Sequence, residues 1–160
     1  MARLIPTNTK REDCIQTPIP LAKRIVEHFS PYGNILEPCK GDGNFLSVLP
    51  KGTEWCEILE GQDFFNWNNK VDWIITNPPY SKMRKFMVKS MEVADHIVFL
   101  TTINHLWLKA RLRDIKKAGF GIKEIIIFET PESFPQSGFQ IGVFYLQRGY
   151  NGQIEFTDWR

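Results

Sequence analysis

The sequence is poor in the residues that most often announce a function. Cysteine occurs only three times, as Cys14, Cys39 and Cys56. An odd, widely spaced set supplies neither a disulfide framework nor a Cys-x-x-Cys pair, so it reads as a reduced, cytoplasmic protein. The three histidines, His28, His96 and His105, stand alone. No metal-type ligands share zinc spacing, and no metal site is expected. No apolar run approaches the roughly 18 residues of a membrane helix, so no membrane contact is expected. Residues 1–10 lack the apolar stretch of a secretory signal. There is no Gly-Lys-Ser/Thr for a P-loop and no third glycine at the dinucleotide spacing. Charge of one sign is scarce too: 20 Lys and Arg against 18 Asp and Glu leave a formal +2. That balance excludes a polycation and permits nucleic acid, depending on where the charges sit. Internal repeats and low-complexity tracts are absent.

What is present is a globular composition, 42% hydrophobic and 24% charged over 160 residues. It fits one domain with its own core and leaves little room for a separate partner-reading module. Residues 1–15 are polar and mixed and predict a flexible arm; 16–160 predict a single domain. Thr17-Pro18-Ile19-Pro20 starts a helix whose stripe is Leu21, Ile25 and Phe29, and Ser30-Pro31-Tyr32-Gly33 stops it. Residues 34–36 form a short apolar run before a glycine-rich turn, and 45–49 a short helix. Strands are predicted at 54–58, Val71–Thr76, 97–101, 122–128 and 142–146. Met83, Met87, Met91 and Ala94 line one helical face between two of them, and Leu108, Leu112 and Ile115 another. This alternation predicts an α/β fold with a mostly parallel twisted sheet and helices on both faces. Residues 129–141 show no helix pattern, so the last strand should pair antiparallel.

Two segments carry chemistry. Ile35-Leu36-Glu37-Pro38-Cys39-Lys40-Gly41-Asp42-Gly43-Asn44-Phe45 runs from a strand through a Gly-x-Gly turn into a helix. Glycines admit a ligand close to the backbone, at the carboxyl ends of the strands where open α/β sheets bind ligands. Glu37 is a poor neighbour for a pyrophosphate and suits a cationic ligand, such as one with an ammonium group. Asn77-Pro78-Pro79-Tyr80 ends the strand Val71–Thr76. Two prolines force the chain out of the sheet there. The Asn77 amide oxygen and the Pro78 carbonyl can then point at one amino group, with the flat face of Tyr80 beside them.

Together these segments resemble the S-adenosylmethionine-dependent amino-group methyltransferases, most closely the DNA adenine-N6 methyltransferases with gamma-type motif order. Glu37-Pro38-x-x-Gly41-x-Gly43-x-Phe45, with Cys39 inside it, is similar to their cofactor motif. Asn77-Pro78-Pro79-Tyr80 matches their catalytic motif. Cys56-Glu57-Ile58 looks like the strand whose acid takes the cofactor ribose, with Glu60 a rival for that role. Gln62-Asp63-Phe64-Phe65 resembles the segment against the cofactor adenine, though Phe64 could equally be core. Thr17-Pro18 resembles the segment at the methionine end. The resemblance covers residues 16–148 and implies a Rossmann-like methyltransferase fold, an S-adenosylmethionine cofactor and a site-specific DNA-methyltransferase (adenine-specific) acting on a flipped adenine.

The chain departs from that family in three places. Lys40 stands where a small residue is usual. Only 58–62 separate Glu57 from Asp63, too few for a crossover helix, so a third strand should be short or absent. No target-recognition domain follows, so loops or a protein partner would choose the target. For the acceptor, Lys82, Arg84 and Lys85 could hold phosphates, and Phe134 could pack on the base or simply cap a hairpin. Lys109, Arg111, Arg113, Lys116 and Lys117 read as a solvated helix face sooner than a phosphate site. RNA adenine, a protein glutamine amide and a non-catalytic cofactor-binding subunit are the alternatives.

Overall fold

Strands and helices alternate along the chain, and the apolar pattern decides which face each helix covers. The computed structural model describes residues 15–160; Cys14 and nearly all of the expected arm lie outside them. α1 (Ile19–Phe29) begins after Pro18, and Pro20 sits in its first turn, where a missing N–H costs nothing. β1 (Ile35–Glu37) is buried throughout, α2 (Asn44–Val48) follows the glycine turn, and β2 (Glu54–Trp55) is only two residues long. Then come β3 (Val71–Thr76), α3 (Met83–Val93), β4 (Ala94–Thr102), α4 (Lys109–Lys117), β5 (Phe120–Ile127), β6 (Ile141–Arg148) and β7 (Glu155–Asp158).

These strands form one sheet in the order β2-β1-β3-β4-β6-β5-β7. All neighbours are parallel except that β6 opposes both β4 and β5. The expected antiparallel pair is therefore present as β5 and β6. The last strand is instead β7, which lies parallel to β5. It escapes the sequence pattern because it is four residues long, and its one large apolar residue, Phe156, faces solvent. Between β2 and β3 the expected shortage holds: two 3-10 turns, Ile58–Glu60 and Phe64–Asn66, replace a crossover helix and strand.

Side chains alternate across the sheet. Ile74 of β3, with Ile97 and Phe99 of β4, faces α3 and α4, against Met83, Met87, Met91 and Ile115. Trp73, Ile75, Val98 and Leu100 face α1 and α2, against Ala22, Ile25, Val26 and Phe45. Burial on both faces is what a parallel sheet requires, and each such large side chain contributes roughly 1.5–3 kcal/mol. Two details differ from the periodicity. Ala94 opens β4, and of the predicted α4 stripe only Ile115 is buried, Leu108 and Leu112 being 46% and 38% exposed.

The α1 side is finished from far along the chain. The Arg24 guanidinium lies 4.2 Å over the Trp159 ring, and the His28 ring is 5.4 Å from it. Trp159 donates its backbone N–H to Ile127, while His28 and the Thr157 hydroxyl meet the Glu124 carboxylate at 3.0 and 2.7 Å. No helix among the described residues is long and apolar enough to cross a membrane.

Candidate functional site

At the end of β1 the chain must reverse into α2 within a few residues. Gly41 and Gly43 do this at φ of 57° and 93°, in the left-handed region that glycine enters without a Cβ penalty. Three backbone bonds brace the turn: Gly43 N–H to Lys40, Lys40 N–H to Cys56, and Cys56 N–H to Glu37. Gln16 closes over it, accepting from the Asp42 N–H, and a Cβ on Gly41 would stand 2.7 Å from the Gln16 Oε1. From the other side Glu57 accepts from Gly41 N–H at 2.8 Å and from Leu59 N–H at 3.1 Å.

Two more carboxylates belong to this end of the sheet. Glu37 is 1% exposed. Its Oε1 accepts from the Cys39 N–H at 2.8 Å and from the Thr76 hydroxyl. Burial pushes its pKa up to about 8; the two hydrogen bonds oppose that rise and the Glu57 charge adds to it. Asp63 accepts from the Phe65 N–H at 2.9 Å and so starts its 3-10 turn. That turn sets Phe64 and Phe65 against Phe86 of α3, with ring centres 5.4 and 5.1 Å away.

Asn77 follows β3 directly. Its side-chain nitrogen donates to the Ile15 carbonyl at 3.2 Å and to the Thr17 hydroxyl at 3.3 Å. A carbonyl can only accept, so the amide nitrogen must lie on that side and Oδ1 on the other. Thr17 is itself tied down, its carbonyl accepting from the Asn44 amide at 2.7 Å. Tyr80 packs against the α3-side core with its ring 5.8 Å from that of His105. Its hydroxyl is buried without a partner among the described residues, and burial lifts its pKa well above the ordinary phenol value.

A cavity of about 400 Å³ joins Asn77 to Glu37, Glu57 and Asp63; Tyr80 is not part of its lining. Of the residues expected to hold a cofactor, Thr17, Glu37, Pro38, Cys39, Gly41 and Phe45 line it, as do Glu57, Ile58, Asp63, Phe64 and Asn77. Pro18 and Gly43 do not line it; they precede α1 and α2 as their caps. Of the expected acceptor side, Pro79 and Lys82 line the cavity, while Pro78 is buried and does not line it. Arg84 is engaged by Asp114 at 2.7 Å, and Lys85 is exposed on α3. Phe134 is 2% exposed within the α1-side core. Phe64 is both core and lining. The Lys40 ammonium is held by Glu60 at 2.6 Å and by the Trp55 ring at 3.9 Å, and Glu60 is not part of the lining.

Sequence reasoning gave no role to Ile15, Gln16, Asn44 and Phe86, all of which line the cavity. Asn44 adjoins motif residues and could have been included. Gln16 and Ile15 arrive by packing from another segment and leave no local pattern.

No protein-family model matches the sequence, and no curated protein sequence does. Solved structures do resemble it. A putative RNA methyltransferase from Pyrococcus horikoshii superposes with a TM-score of 0.61 at 16% identity, covering 87% of both chains. The M protein of the type I restriction enzyme EcoKI gives 0.62 at 16% identity, over 84% of this chain and 44% of that one. A putative class I S-adenosylmethionine-dependent methyltransferase from Listeria monocytogenes gives 0.62 at 13% identity, over 95% and 68%. This chain thus spans under half the length of the EcoKI protein. At these identities the likeness is one of fold: the chain has a Rossmann-like methyltransferase fold.

Proposed function

We propose that the chain transfers a methyl group from S-adenosylmethionine to the N6 amino group of adenine in DNA, in the cytoplasm. The observation that carries this reading is the orientation of Asn77. Its nitrogen is committed to Ile15 and Thr17, so its oxygen is the group left to accept, in the lining of a cavity that also holds Glu37, Glu57 and Asp63.

The residues present fit the cofactor. Glu37, buried with both of its hydrogen bonds on Oε1, keeps Oε2 for an ammonium group. Glu57 retains lone pairs for ribose hydroxyls beyond the two backbone bonds that it accepts. Asp63 and the rings of Phe64 and Phe65, with Ile58 at the rim, suit an adenine. When bound, the cofactor supplies a methyl group already activated on a sulfonium. Lys40 is occupied by Glu60 and Trp55, which weakens the case for a non-catalytic subunit.

On the acceptor side, Asn77 Oδ1 and the Pro78 carbonyl accept the two N–H bonds of the target amino group. This draws its lone pair out of conjugation and aims it. The acceleration comes from positioning and electrostatics, with no strong base required, and the proton shed by the methylated nitrogen passes to water. Adenine must leave a duplex stack at a cost of a few kcal/mol, and stacking on Tyr80 returns about 1–3 kcal/mol. A protein partner or short loops select the site. RNA adenine is the second reading, favoured by the name of the Pyrococcus horikoshii neighbour.

A labelled methyl-transfer assay on duplex DNA, single-stranded DNA, RNA and bulk protein, with nucleoside analysis of the product, tests the proposal. We expect N6-methyladenine in DNA, and Asn77→Ala should abolish it while calorimetric cofactor binding survives. Undiminished methylation by that variant, or a product on another atom, refutes the reading.

A further inference from the structure

Beyond Tyr80 lies a surface that the methyl-transfer reading does not use. His105, in the segment after β4, places its ring 5.8 Å from Tyr80. Two residues on, Trp107 is 44% exposed, and α4 then begins. α4 and its flank carry Lys109, Arg111, Arg113, Lys116 and Lys117 against one acid, Asp114, which is already held by Arg84. The spacing of Lys109, Arg113, Lys116 and Lys117 places them on one helical face, and all four are exposed. At 1.5 Å per residue that face runs for about 12 Å. Arg111 is half-buried, and its Nε has no partner among the described residues. Desolvation and, to a lesser degree, the Arg111 charge hold His105 below the ordinary imidazole pKa, so that side chain adds no positive charge at neutral pH.

We propose that Trp107 and the cationic face of α4 hold the nucleic-acid strand that carries the target base. Trp107 stacks on a neighbouring base, while Lys109, Arg113 and Lys116 meet phosphates. The assignment rests on the nucleic-acid reading of the site. Charge complementarity favours a polyanion, because α4 has cations in excess and no uncommitted acid. An exposed aromatic beside them is the pattern of single-strand binding, where stacking and backbone neutralisation act together. The surface also lies beside the Asn77-Pro78-Pro79-Tyr80 motif: His105 packs near Tyr80, and Arg84 of α3 pairs with Asp114 of α4.

Fluorescence anisotropy of the whole chain with labelled single-stranded DNA and RNA oligonucleotides tests this, independently of methyl transfer. Lys109→Glu combined with Arg113→Glu should lower the slope of log affinity against log salt by about one per lost phosphate contact. Trp107→Ala should weaken binding by about tenfold and leave that slope unchanged. Lys23→Glu, on α1 across the sheet, should do neither. Variants that bind like the wild type, an equal loss with Lys23→Glu, or a wild type that prefers poly-glutamate to either oligonucleotide each overturn the proposal. Should these binding effects appear while the wild type methylates no nucleic acid, the surface stands and the reading of the catalytic site falls.

Discussion

Replacing Glu37 by Gln isolates the most unusual electrostatic feature of the site. The carboxyl is fully buried, and its pKa is lifted from the ordinary 4.5 to about 8. Between these values the folded chain holds a proton that the unfolded chain has released. Stability therefore falls as pH rises through that window and levels off above about 8. At about 1.4 kcal/mol per pH unit, a shift of this size amounts to about 5 kcal/mol across the whole window. Gln has nearly the same shape and keeps an oxygen for the Cys39 N–H and the Thr76 hydroxyl, but does not titrate. Its stability relative to the wild type should therefore grow with pH by up to about 1.4 kcal/mol per unit between pH 5 and 8. Urea unfolding of both proteins at several pH values measures this, and titrations elsewhere cancel in the difference. A difference that stays constant with pH would show that Glu37 is ionised in the folded chain and refute the reasoning. The same proton should appear in binding: a cationic ligand favours the carboxylate, so affinity for S-adenosylmethionine should rise with pH up to about 8, with proton release detectable in buffers of different ionisation enthalpy.

Two further outcomes separate packing from ligand contact. Lys40→Ala should leave cofactor affinity nearly unchanged by calorimetry and cost about 1 kcal/mol or less in urea unfolding, because its ammonium is spent on a partly exposed pair with Glu60. Phe134→Ala should cost about 3–5 kcal/mol of stability, the usual loss for a buried phenylalanine, which a rim residue touching a target base would not show.

Legibility in the sequence followed how local the determining physics was. β3 is bounded as predicted because a buried apolar run is ended by two prolines, a backbone constraint that needs no tertiary context. β4 starts earlier than predicted because α3 passes into it with no breaker between, so Ala94 suits either element. The carboxylates Glu37, Glu57 and Asp63 were readable since each sits where a strand or turn ends. Gln16 and Ile15 were not, because they reach the cavity through the fold. Phe86 was hidden differently, as one more apolar residue on a helix that packs on the sheet. The side of Glu57 that braces the glycine turn also had no sequence signal, as the bond to Gly41 spans two segments. Arg84 looked available for phosphate, and only the packing of α3 beside α4 gives it Asp114.

The seam between α1 and Trp159 bears on how the chain matures during synthesis. α1 is made early, yet the ring that covers it and the carboxylate that receives His28 come from β7 and β5. The strand partners of β4 are likewise delayed, since β6 must emerge before the middle of the sheet closes. Long-range pairing of this kind is slow and leaves apolar surface open meanwhile. On the ribosome the α1-side layer therefore stays incomplete until β7 has been released, and the nascent chain settles late as a unit.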